Sequence, residues 1–220
     1  MRRTHGLTLS VVATLAAATT AAGSVAGHPQ GELLAPTARF ACYSAQFGVF
    51  RPQTRSLVDQ LSRFASVAVS IPETVCAPAP GTSTSYLTCY RVTVNSSKFG
   101  VVQTLRIFDE FAKAGLTVRV YRLLSLCAPS TRVDVAAQNQ TAKGLDLFTC
   151  YLAKPTSSIT YANVAVGDDF GKSNDTLTLP LRLCAPAAVK GSRQVDSTRL
   201  LACYTANSET KGTTVVVRNE

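Results

Sequence analysis

Three aspartates stand at matching places along this chain: Asp59, Asp109 and Asp168. Each is followed by an acidic or amide neighbour, Gln60, Glu110 and Asp169. Paired carboxylates can carry acid–base chemistry or hold Ca2+. A residue needed for catalysis is seldom needed three times, whereas Asp at a strand end commonly hydrogen-bonds turn backbone. The turn role is the expectation here, and no cofactor is expected. Hydrolysis by these carboxylates is the alternative.

A second set recurs beside it: Tyr43, Tyr90, Tyr151 and Tyr204, each directly after a cysteine. In a strand, Cys and the Tyr after it point to opposite faces. The tyrosines therefore form an equivalent row, expected to pack between segments with each hydroxyl at the edge. A ligand-binding row is the sharper reading of the same four residues.

The seven cysteines complete the inventory. Four begin Cys-Tyr (Cys42, Cys89, Cys150, Cys203) and three begin Cys-Ala-Pro (Cys76, Cys127, Cys184), in strict alternation. A degenerate copy, Leu33-Leu34-Ala35-Pro36, has Leu34 where a cysteine would stand. Between the two signatures lies the acidic one: Leu57 to Leu61, Ile107 to Phe111 and Val166 to Phe170, with a start of it at Val217 to Glu220. Self-similarity of this kind is the mark of a repeat architecture.

The segments that must position these residues read as strands. Leu116, Val118 and Val120 alternate with other residues, as do Leu177, Leu179, Leu181 and Leu183. Period two with β-branched residues is the half-buried strand signal. Ala112 to Gly115 reads as one helical turn at most. The proline of each Cys-Ala-Pro should mark where a strand stops or reaches an edge. The fold class is all-β: tandem three-strand repeats, about three and a half copies, packed as a sandwich or ring-like array and stapled by disulfides. The units run over about 37–86, 87–146 and 147–199, with a partial unit at 200–220. The last strand and Gly31 to Pro36 together could close the array.

The alternation of Leu-Cys-x-Pro with Cys-Tyr, with an acidic strand end between them, resembles a repeat domain of exported bacterial proteins whose function is uncharacterised. The resemblance covers about Leu33 to Glu220 and implies no functional residues. The departure at Leu34 puts one bridge in question.

Arg2 and Arg3, a weakly apolar run over Leu7 to Ala22 and the small residues Ser24 and Ala26 read as a secretory signal peptide over residues 1–26. One all-β domain, 27–220, follows, secreted, periplasmic or at the cell surface. No further membrane span is expected. Such a compartment favours disulfides. One scheme joins Cys76–Cys89, Cys127–Cys150 and Cys184–Cys203 and leaves Cys42 as the free thiol. The other joins Cys42–Cys76, Cys89–Cys127 and Cys150–Cys184 and leaves Cys203. The Cys-Ala-Pro to Cys-Tyr gap varies over 13, 23 and 19 residues, while the complementary gap holds at 34, 38 and 34. A variable loop pinched at its base favours the first scheme, though spacing does not fix connectivity.

Two histidines, His5 and His28, lie before or at the start of the predicted domain, so Ser-His and Cys-His nucleophile pairs have no imidazole within it. The net charge is +9 over the whole chain. Its basic residues are dispersed, which speaks against nucleic acid and leaves a cell-surface polymer or a protein as the partner class. Ser208 to Lys211 reads S-x-x-K but lacks the companion motifs of penicillin-recognising enzymes. The functional expectation is an exported structural or ligand-binding module without catalytic activity. A secreted hydrolase of surface polymers and a disulfide-rich inhibitor or effector are the alternatives.

Overall fold

The computed structural model describes residues 9–15, 39–83, 85–94, 102–132, 145–189, 194, 198–207 and 215–219. In chain order the strands are β1 (Leu9–Leu15), β2 (Phe40–Ser44), β3 (Gln53–Asp59), β4 (Arg63–Pro78), β5 (Tyr86–Val94) and β6 (Gln103–Ile107). They continue as β7 (Leu116–Arg132), β8 (Leu147–Pro155), β9 (Tyr161–Asp168), β10 (Gly171–Val189), β11 (Leu200–Ala206) and β12 (Val217–Asn219). All twelve belong to one antiparallel sheet. No helix among the described residues is long and apolar enough to cross a membrane.

Eight strands close on themselves in the order β1, β2, β4, β5, β7, β8, β10, β11 and back to β1. Closure leaves no free edge within that ring, which removes the unpaired backbone an open sheet would present. The other four strands lie against the three long ones. β3 pairs β4 and β10, β6 pairs β7, β9 pairs β10, and β12 pairs β7.

The long strands owe their 16, 17 and 19 residues to a change of partner part-way along. The first part of β7 pairs β6 and the end of β8, and its later part pairs β5, the start of β8 and, at its end, β12. A register shift between Val120 and Leu123 separates them. Pro72 in β4 and Pro180 in β10 sit at the corresponding shifts, where proline costs the ladder least. Before its shift, β7 alternates cleanly, burying Leu116, Val118 and Val120 and exposing Arg119. Beyond it Leu123, Ser125, Leu126 and Cys127 are all buried, because both faces of the strand are covered there.

Two expectations about chain ends change. β4 stops at Pro78, but β7 and β10 run past Pro129 and Pro186, because the next residues find partners in β12 and β3. Closure also takes a different seam. β1 lies between β11 and β2, within the stretch that reads as a signal peptide, while β12 pairs β7. Gly31 to Pro36 lies outside the described residues. The Ala112 to Gly115 segment is a single turn in which the Gly115 amide donates to the Ala112 carbonyl at 2.9 Å. Gly115 has φ 87°, and a Cβ there would meet the Arg106 Nε at 2.6 Å, so glycine is required.

The interior divides by strand face. One cluster gathers all seven cysteines with Phe40, Leu87, Phe148 and Leu201. A larger one takes Tyr90, Tyr151 and Tyr204 with Leu57, Val67, Val118 and Leu177, and Tyr43 packs against it.

Candidate functional site

Each repeated aspartate closes its own turn with one carboxylate oxygen. Asp59 Oδ1 accepts from the amides of Leu61 and Ser62 at 2.6 and 2.7 Å. Asp109 Oδ1 accepts from Phe111 and Ala112 at 2.8 and 2.6 Å. Asp168 Oδ1 accepts from Phe170 and Gly171 at 2.7 and 3.1 Å. These are side-chain mimics of a backbone turn, made where the chain leaves a strand and turns.

The second oxygen reaches a tyrosine far away in sequence. Tyr43 donates to Asp168 Oδ2 at 2.7 Å, Tyr151 to Asp59 Oδ2 at 2.5 Å, and Tyr204 to Asp109 Oδ2 at 2.5 Å. Thr149 Oγ1 also donates to Asp59 Oδ2 at 2.5 Å. The separations are 125, 92 and 95 positions, so each bond ties distant parts of the chain together. Two of the tyrosine rings then meet, edge-on, the aromatic residue two places after the aspartate they engage. Tyr43 meets Phe170 at 5.1 Å and Tyr204 meets Phe111 at 5.4 Å. Tyr151 instead has Phe64 at 6.3 Å. Tyr90, the fourth of the set, is buried with its ring 5.1 Å from Phe50.

The electrostatics follow from burial. Desolvation, then the Asp168 hydrogen bond and charge, drives the Tyr43 phenol far above its ordinary value. Tyr151 and Tyr204 are raised likewise, by burial first and by Asp59 and Asp109 next. Burial also raises Asp168, against the hydrogen bonds from Tyr43, Phe170 and Gly171. Beside this latch Tyr86 donates to Asp169, and burial with that bond carries its phenol to about 12. A phenol in this state is a proton donor in a hydrogen bond and not a proton shuttle at neutral pH.

The cysteines form a second arrangement, and the favoured pairing is corrected. The bridges are Cys42–Cys76, Cys89–Cys127 and Cys150–Cys184, and the free thiol is Cys203 instead of Cys42. Register is the reason. Cys42 lies directly opposite Cys76 and Cys89 directly opposite Cys127, each with Cα atoms 3.9 Å apart. Across the variable loops the pairing is offset by two residues. Cys76 faces Leu87, Cys127 faces Phe148 and Cys184 faces Leu201. The constant spacing of 34, 38 and 34 residues is thus the length of chain that each bridge encloses. Seven of the eight ring strands carry one cysteine each, β1 being the exception.

Between bridges the sulfurs still approach closely. Cys127 and Cys150 are 3.5 Å apart, and Cys184 and Cys203 are 3.7 Å apart. Burial pushes the Cys203 thiol up to about 12, opposed by the Arg182 charge.

The outer face of β6, β7 and β8 shows a feature the sequence did not single out. Arg119 stands opposite Thr104 of β6 on one side and Lys154 of β8 on the other. Arg106, two residues from Thr104, shares that face. Arg106, Arg119, Arg122 and Lys154 are all exposed, and β6, β7 and β8 contain no Asp or Glu. Lys154 Nζ lies 5.7 Å from the Tyr121 ring centre, and Arg106 donates to the Ala114 carbonyl at 2.8 Å. In sequence these residues look scattered, because they are brought side by side only by register.

Among the described residues no group of three His, Cys, Asp or Glu side chains is placed to hold a metal ion. Ser208 to Lys211 lies outside the described residues. No protein-family model, curated protein or solved structure matches this chain.

Proposed function

We propose that this chain is an exported binding module: tandem three-strand units locked by disulfides and tyrosine–aspartate latches, with an outward basic face for an anionic cell-surface polymer. The observation that carries the reading is the acid-free face of β6, β7 and β8, where Arg106, Arg119, Arg122 and Lys154 are exposed together. A surface of one sign, backed by a rigid sheet, attracts polyanions without needing a pocket.

The repeated carboxylates support a module over a hydrolase. Asp59, Asp109 and Asp168 have one oxygen on turn amides and the other on a tyrosine hydroxyl. A general acid or base needs a free oxygen within reach of substrate. The reciprocal latches, Tyr43 to Asp168 and Tyr151 to Asp59, link the first and third sequence units in both directions. That reciprocity, and the three bridges of like register, support the repeat reading.

The test is binding of the purified protein to immobilised heparin and to neutral dextran at rising salt. Retention on heparin that falls steeply with salt, and that drops at least tenfold in Arg119→Glu/Lys154→Glu, supports the proposal. Equal retention of wild type and variant sinks it. Shortening of an offered surface polysaccharide during incubation would favour the hydrolase instead.

A further inference from the structure

Cys203 ends a row of five sulfurs within the cluster that buries all seven. Its Sγ touches Cys184, which is already bridged to Cys150. Cys150 in turn touches Cys127, which is already bridged to Cys89. Bonded and non-bonded contacts therefore alternate along the row from Cys203 to Cys89. Thiol–disulfide exchange requires a thiol against a disulfide sulfur, and this arrangement supplies that contact twice in succession.

We propose that the protein isomerises its own disulfides along this row, moving the free thiol from Cys203 to Cys150 and then to Cys89. In the first step the Cys203 thiolate attacks Cys184 Sγ. The Cys184–Cys203 bond forms, the Cys150–Cys184 bond breaks, and Cys150 leaves as a thiolate that takes up the proton Cys203 lost. In the second step Cys150 attacks Cys127 Sγ, Cys127–Cys150 forms, and Cys89 leaves. One thiol and three disulfides are present before and after each step, so no outside oxidant or reductant is consumed. The bridges that result join cysteines offset by two residues across the β7–β8 and β10–β11 ladders, so each forms with a local shift of backbone, and the joins between β5 and β7 and between β8 and β10 are released.

The rate is set by the scarcity of thiolate. Burial among apolar neighbours opposes the Cys203 thiolate, and the charge of Arg182 on the facing strand β10 favours it. With the thiol near 12, the thiolate fraction rises about tenfold per pH unit below that value, and the exchange rate rises with it.

The experiment incubates the pure, fully folded protein at pH 7, 8 and 9, then quenches in acid, denatures, alkylates the free thiol and maps peptides without reduction. The expected result is alkylation spreading from Cys203 to Cys150 and Cys89, with new Cys184–Cys203 and Cys127–Cys150 peptides. Their rate should rise about tenfold per pH unit and be independent of protein concentration. Label confined to Cys203 at every pH while circular dichroism stays native overturns the proposal. So does a rate proportional to protein concentration, which marks exchange between molecules. Cys203→Ser should freeze the original bridges. New peptides appearing as fast in that variant as in wild type would also overturn it, and the wild-type time course decides the question should the variant fail to fold.

Discussion

Tyr151 donates its phenolic hydrogen to Asp59 Oδ2 at 2.5 Å across 92 positions of sequence, while the other oxygen of Asp59 holds the Leu61 and Ser62 amides. One carboxylate thus serves a local turn and a long-range contact at once. Both partners are buried, at 2 % and 8 % exposure, so losing either leaves a polar group without water to replace it.

Tyr151→Phe removes one charge-assisted bond but leaves Asp59 the Thr149 hydroxyl and two amides. The expected loss is about 1.5–3 kcal/mol, read from urea denaturation. Asp59→Asn should cost more, because the amide cannot accept from both Tyr151 and Thr149 while also serving the turn. The double variant should fall short of the sum by about 1–2 kcal/mol, the coupling expected of groups in one network. Full additivity would mean that the two residues do not act as a pair.

The acid side of these latches was legible in the sequence and the pairing was not. Asp59, Asp109 and Asp168 announce turn duty by sitting after an apolar strand end and before a chain reversal. Nothing local says that the same carboxylates receive Tyr151, Tyr204 and Tyr43, since the partners lie about a hundred residues away and meet only when the sheet closes. The usable signal was numerical: a tyrosine after a cysteine and an acid at a strand end recur together along the chain, and a buried member of either set needs a partner. The disulfides failed for a related reason. Loop variability favours a bridge at the base of each connection, but bridging depends on which residues face each other across a ladder, and a two-residue offset sends Cys76 to Cys42 instead of Cys89.

Alkaline pH should unfold the protein cooperatively. The folded-state phenols of Tyr43, Tyr151 and Tyr204 lie above the ordinary value of 10.0. A group raised in the folded state contributes stability that is fully present below its unfolded value and is lost as pH climbs past it. Stability should therefore hold up to about pH 10 and fall steeply above it. Phenolate absorbance should appear together with the loss of far-ultraviolet circular dichroism. Gradual ionisation of every tyrosine around pH 10 with structure intact would refute the burial of these hydroxyls.

Each bridge encloses 34 to 38 residues, a loop worth about 4 kcal/mol in the chain-entropy description. Freshly purified protein, quenched in acid and mapped without reduction, should yield Cys42–Cys76, Cys89–Cys127 and Cys150–Cys184 peptides. Cys42→Ser/Cys76→Ser should lower stability by about 2–4 kcal/mol, since the β2–β4 ladder remains to hold register. A Cys76–Cys89 peptide in fresh protein would contradict the observed register.

The closing seam gives the last prediction. β1 hydrogen-bonds to β11 over Leu200–Ala206 and to β2 over Phe40–Cys42. If export removes residues 1–26, those edges lose that partner, because Leu9–Leu15 leaves with them. Backbone amides freed from a ladder exchange with water at rates near those of an open strand. In a chain beginning at Gly27, the amides of Leu200–Ala206 directed toward the seam should exchange at least a hundredfold faster than those of the β7–β8 ladder. In the full chain both sets should be slow. Equal protection in the shortened chain would show that another segment has taken the place of β1 between β2 and β11. An edge strand left open should also drive association through backbone pairing, so the shortened chain should form dimers at concentrations where the full chain stays monomeric.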